Sequence, residues 1–274
     1  MSCRRRILKI VVGGIVFLVA VLGGCGSRKA VREPVGIDSE LVRSNRSARA
    51  AFEQGKLKQS AGLYRRALER AYLRDDSQAI VDALYNLAAV LAEQDLLDDA
   101  YRHVRQAREE SNRAGLPDAG DIRLLEATIL YRLERSEDAW QILDGIVSAP
   151  SETPMEIQYR AWFLKGVIAD EQGDVNQLRQ AILAIEEDQL TGELLADREE
   201  LDGRLAMADR NWPVAIDAFD RAARLRREAL AYRQMAELQA MAARGCEAAG
   251  DMPQAARRYL RAGRSAAQRG DAQN

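Results

Sequence analysis

Turn-forming residues recur along this chain at a spacing that leaves few folds open. They stand at Gly55, Asp95, Glu134, Gly173, Arg210 and Gly250, 37 to 40 residues apart. Seven residues before them stand Ala48, Ala88, Ala127, Gly166, Gly203 and Ala243, small every time. After each turn a second pattern runs in step, with a marked residue at the fifth, ninth and twelfth places. The sets are Ser60, Tyr64 and Ala67; Ala100, Val104 and Ala107; Ala139, Leu143 and Ile146; Leu178, Ile182 and Ile185; Ala215, Phe219 and Ala222; Ala255, Tyr259 and Ala262. Steps of four and three place such residues on one face of an α-helix. The small residue before each turn marks where two helices press closest. A pair of short helices cannot bury its apolar face alone, so six in register must stack.

The stretch from Gly55 to Leu68 resembles the inter-helix turn and second helix of a tetratricopeptide repeat. Leu84-Tyr-Asn-Leu87-Ala88 and Trp162-Phe-Leu-Lys-Gly166 resemble its first helix, while repeat three is degenerate. The resemblance implies an all-α, right-handed α-solenoid of about six helix-turn-helix repeats over residues 40–270. A spacing near 39, against about 34 in the family, predicts helices or connections lengthened by about a turn. Gly115 to Gly120 and Ala149 to Pro154 punctuate repeats two, three and four. Asp174, Asn211 and Asp251 are placed to cap second helices. Pro213 and Pro253 fall in the first turn, where a missing N–H is harmless. No further helix is evident after Arg269, so repeat six should be the frayed end.

The N-terminal segment has a different grammar. Cys3-Arg4-Arg5-Arg6-Ile7-Leu8-Lys9 precedes an apolar run from Ile10 to Leu22 that ends Gly23-Gly24-Cys25. A cationic start, a short apolar core and small residues at the end make a secretory signal peptide, too short for a comfortable membrane span. Leu22-Gly-Gly-Cys25 resembles the lipobox of bacterial lipoproteins. That resemblance implies cleavage after residue 24, a diacylglyceryl group on the Cys25 thiol and possession of two or more acyl chains, enough for a stable tether. Gly26 in place of Asp favours the periplasmic face of an outer membrane where the organism has one, and otherwise the outer face of the cell membrane. Residues 25–39, rich in Gly, Pro and charge, read as lipidated Cys and flexible tether.

Chemistry has little to work with. Removing Arg4, Arg5, Arg6 and Lys9 from 40 basic and 42 acidic residues takes the formal charge from −2 to about −6, which argues against nucleic-acid binding. Once Cys3 leaves and Cys25 is lipidated, Cys246 has no disulfide partner, and its place on a first helix predicts a buried thiol. His103, the one histidine, reads as an exposed helix residue; a metal site or catalytic triad needs partners it lacks. Glu186-Glu187-Asp188 and Arg198-Glu199-Glu200 read as solvated helix faces. The expectation is no catalytic residue, metal, cofactor or small-molecule substrate.

The family resemblance implies that first helices line a concave groove. Carried across, its inward positions hold Asn45, Arg49 and Phe52, then Tyr85, Tyr131, Arg160, Phe163, Arg204 and Arg244. Aromatic and Arg side chains are the usual hot-spot types; the other reading is that Tyr85 and Phe163 fill gaps between lengthened helices. The expected function is a non-enzymatic, membrane-anchored scaffold or assembly factor for other envelope proteins. The alternative is capture of an extended peptide segment for a secretion or transport system.

Overall fold

The computed structural model describes residues 38–117, 120–150, 153–186 and 190–273, with side chains to Ser265. The signal segment, Cys25 and the tether as far as residue 37 lie outside the described residues. Twelve helices follow one another in pairs: α1 (Ser39–Glu53) and α2 (Leu57–Leu73), α3 (Ser77–Glu93) and α4 (Leu97–Ala114), α5 (Gly120–Arg132) and α6 (Ser136–Val147). Then come α7 (Met155–Glu171) and α8 (Val175–Ala184), α9 (Gly192–Ala208) and α10 (Trp212–Glu228), α11 (Tyr232–Ala248) and α12 (Met252–Gln273). No strand occurs among the described residues. The result is an α-solenoid of six helical hairpins.

All six turn positions adopt the left-handed conformation, with φ between 57° and 83°. That inversion lets the next N–H turn back and satisfy a carbonyl the helix end would leave open. Lys56, Leu96, Arg135, Asp174, Asn211 and Asp251 donate to Ala51, Leu91, Leu130, Ala169, Ala206 and Cys246 at 2.8–3.0 Å. The same closure joins repeats at Asp75, Gly115 and Leu230, which are also left-handed. At the second-helix starts, Asp174 accepts from the N–H groups of Asn176 and Gln177, and Asp251 accepts from Gln254. Asn211 departs from expectation and makes no side-chain cap. Pro213 removes one of the two donors it would use, and the other goes unused.

The small residues lie where the helices cross. Ala48, Ala88, Ala127 and Ala243 are fully buried. A Cβ added to Gly166 would meet Leu201 at 2.8 Å, and one on Gly203 would meet the Phe219 ring at 2.6 Å. The fifth, ninth and twelfth positions after the turns are buried in all six repeats except at Tyr259, which is 39% exposed. Leu260 beside it is exposed as well, so α12 carries two adjacent uncovered apolar side chains.

The extra length per repeat has two sources. Repeats one, two, five and six spend it on helices, commonly of 17 residues. Repeats three and four have second helices of 12 and 10 residues and spend it on the connections before α7 and α9. Neighbouring cores share residues: Tyr101 packs on those of repeats one to three and three to four, and Tyr131 and Trp140 link repeats three, four and five.

Candidate functional site

Successive first helices touch along one face, α3 with α5, α5 with α7 and α7 with α9. On that face the side chains form a ladder of polar contacts about one repeat apart. Tyr131 on α5 donates to Glu171 on α7 at 2.5 Å; burial, then this bond, pushes its phenol well above the usual range. Arg160 on α7 reaches Glu193 on α9 at 3.1 Å and Glu156 at 3.2 Å. Arg204 on α9 donates to Asp170 on α7 at 2.9 Å and to Glu200 at 2.8 Å. Burial opposes the charge on Arg204, and the two carboxylates outweigh it. The ladder ties repeats together with charges whose demands are already met.

The remaining expected groove residues divide. Arg204 and Arg244 line one small hollow of about 110 Å³ with Asp170 and Met241. Tyr85 and Phe163 are partly buried against the cores of repeats one to three and four to five, so their rings fill space between helices. Arg49 is exposed and paired with Glu53 at 3.1 Å. Asn45 is half-buried, and its Oδ1 has no hydrogen-bond partner. Apart from Arg204 and Arg244, which share that hollow, these side chains follow the solenoid's length without converging.

Groups with chemical potential are quiet. Cys246 is 1% exposed, its thiol donates to Gln254, and burial raises its pKa. His103 is half-buried, which corrects the expectation of an exposed ring; burial lowers its pKa, and its Nδ1 hydrogen-bonds with Gln106. Lys165 is buried between Trp140 and Trp162, at 4.3 and 4.9 Å from the ring centroids, and pairs with Asp144. Two ring faces and a carboxylate compensate its lost hydration. Of Glu186-Glu187-Asp188, only Glu186 is described, and it is exposed; Glu199 and Glu200 are half-buried and paired with Arg221 and Arg204. No group of three or more metal-ligating side chains occurs among the described residues.

Curvature creates a feature that no single repeat contains. The turn of repeat one, with Phe52, Glu53 and Leu57, and Glu93 at the end of α3 face Leu230, Ala236, Ala240 and Ala262 of repeats five and six. The cleft between them measures about 900 Å³, within the range of ligand-sized clefts. Leu230 is 66% exposed and sits at φ 59°, a conformation that costs a Leu roughly 1–2 kcal/mol. Glu53, Glu93, Glu237 and Arg233 give the rim an acidic balance. Phe52 is legible as a groove residue; the others are not, because their meeting depends on the summed rotation of all six repeats. An apolar Leu230 in a turn was the one local signal.

No protein-family model matches the chain, and no curated protein sequence matches it. Solved structures are similar. The type IV pilus biogenesis factor PilW aligns at TM-score 0.55 with 16% identity, over 81% of this chain and 91% of that one. A tetratricopeptide repeat protein from Parabacteroides merdae aligns at 0.52 with 13% identity, over 83% and 94%. BtubC from P. vanneervenii aligns at 0.50 with 17% identity, over 85% and 93%. Together with the six turns and six helix crossings, these likenesses give the chain the fold of a tetratricopeptide-repeat α-solenoid.

Proposed function

We propose that this chain is a non-enzymatic scaffold of the bacterial envelope, tethered through a lipid on Cys25, which holds a segment of a partner protein in the cleft between its first and last repeats. The cleft carries this reading: exposed Phe52 and Leu230 face one another's repeats around an apolar space with an acidic rim. Such a space suits a segment with an apolar anchor and basic flanks. The inner ladder supports it indirectly, since its neutralised charges stiffen the solenoid and leave the apolar residues to bind. The likeness to PilW, a pilus biogenesis factor, supports an assembly role over transport.

Leu230→Gly tests this. Glycine accepts φ 59° without strain, so stability should hold or rise while the side chain is lost. Loss of a hot-spot anchor costs about 2 kcal/mol, roughly thirtyfold in affinity. A partner co-purified from membranes with the parent chain should be lost with Leu230→Gly at an undiminished melting temperature. Equal recovery of that partner would refute the cleft as its seat.

A further inference from the structure

A second hollow, of about 400 Å³, opens between α10, α11 and α12 and shares no lining residue with the cleft. Arg224 and Arg227 of α10 and Arg257 and Arg261 of α12 line it. None of these four guanidinium groups takes part in an ion pair among the described residues, whereas Arg221 and Arg226 of the same α10 are paired with Glu199 and Asp197. A fifth, Arg258, is occupied by Asp220, which accepts from its Nη2 at 2.7 Å. In a chain of net negative formal charge, four exposed arginines without ion pairs around one hollow make a local positive potential open to solvent.

The hollow also holds an unmet polar group. Gln239 of α11 lines it, and the Oε1 of that side chain is buried without a hydrogen-bond partner. A buried amide oxygen left open is costly. Turned about its last bond, the amide presents its NH₂ at the same place, as a neutral donor beside the cationic ones. Two acceptors also line the hollow, the Asp220 carboxylate and the Gln254 amide oxygen, and both are already engaged by Arg258; what stays open is four forked guanidinium groups and one amide. A tetrahedral phosphate takes hydrogen bonds from several directions, whereas a lone carboxylate is satisfied by one Arg fork.

We infer that the hollow between α10, α11 and α12 is a binding site for a phosphate group, held by Arg224, Arg227, Arg257 and Arg261 with Gln239 as the neutral donor. The phosphate comes either free in solution or on a lipid headgroup; both present the same oxygens.

Calorimetric titration of the full chain in a neutral detergent and phosphate-free buffer tests the site. The probes are inorganic pyrophosphate and monomeric dihexanoyl phosphatidylglycerol, with dihexanoyl phosphatidylcholine and an acidic tetrapeptide for comparison. Binding of pyrophosphate alone assigns the site to a free anion. Binding of the phosphatidylglycerol, with little of the choline lipid, assigns it to a headgroup. In either case Arg224→Ala with Arg257→Ala should weaken binding at least about tenfold, as expected for losing two charge-assisted pairs. Gln239→Leu should weaken it less, and Arg65→Ala with Arg66→Ala on α2 should leave it unchanged. No binding of either phosphate probe, tighter binding of the tetrapeptide, or binding indifferent to the Arg224 and Arg257 changes overturns the assignment.

Discussion

Replacing Gly203 by Ala should destabilise the solenoid, although the same change in a free helix stabilises it. Glycine in a helix interior costs about 1 kcal/mol relative to Ala, so Gly62→Ala on α2 should gain about that much: a Cβ there meets nothing within 4 Å. At Gly203 the new Cβ would stand 2.6 Å from Cε1 and 2.7 Å from Cδ1 of Phe219. That ring is 1% exposed and borders only the small hollow beside Arg204 and Met241, so either it leaves its rotamer toward that hollow or α9 and α10 move apart. Overpacking of this kind costs about 1–3 kcal/mol, which exceeds the propensity gain over most of its range. The balance is a net loss of up to about 2 kcal/mol, which lowers the melting temperature by up to about 8 °C in a body of this size, while Gly62→Ala raises it by about 2–4 °C. Thermal melts followed by circular dichroism read both. Adding Phe219→Leu to Gly203→Ala should recover part of the loss, because the two side chains compete for one space. Equal stabilisation by Gly203→Ala and Gly62→Ala would refute the close crossing and the register built on it.

Asp38 caps α1 through the N–H groups of Leu41 and Glu40 and pairs with Arg70, and the Leu41 bond leads in holding its pKa at about 2. Its contribution is present above the ordinary value of 3.8 and lost as pH falls toward 2, so Asp38→Asn should flatten the acid limb of a pH-dependent melt. For Asp197, burial raises the pKa to about 6 against the pull of Arg226 and Arg160; its contribution is full below 3.8 and lost as pH rises through 6. The side-chain carbon-13 shift of Asp197 should titrate near 6, and a midpoint at or below 3.8 would contradict this. Cys25→Ala should abolish lipid attachment, since acyl burial supplies the membrane affinity; mass spectrometry of the membrane fraction finding an intact, unmodified parent chain would contradict the anchor. Tyr85, Tyr131 and Phe163 changed together to Ala should lower the melting temperature sharply, because at least Tyr85 and Phe163 pack on the cores; a partner lost with no change in melt would return them to the binding face.

Much of the fold was legible because its turns repeat one piece of backbone chemistry. The left-handed residue that ends each first helix recurs six times, and it is recognisable even where Asp95, Glu134 or Arg210 replaces glycine, because the small residue seven places earlier keeps step. The joints between repeats were less legible: Asp75 and Leu230 make the same turn without a companion pattern. The pairing of the groove charges is hidden in the sequence because their partners lie far off along it. Arg204 meets Asp170 at a separation of 34 residues, Arg160 meets Glu193 at 33 and Tyr131 meets Glu171 at 40. Those separations are near one repeat, so pairing each donor with acids one period away finds them. The cleft had no such signal, because it is made by curvature.

The most direct test places a photo-crosslinking side chain at one position at a time in the full, membrane-attached chain. Position 240, on the cleft wall, and position 66, exposed on α2, are the informative pair. The account predicts one crosslinked partner from position 240, lost when Leu230→Gly is added, and none from position 66. Crosslinks to the same partner from position 66, with none from position 240, would contradict it.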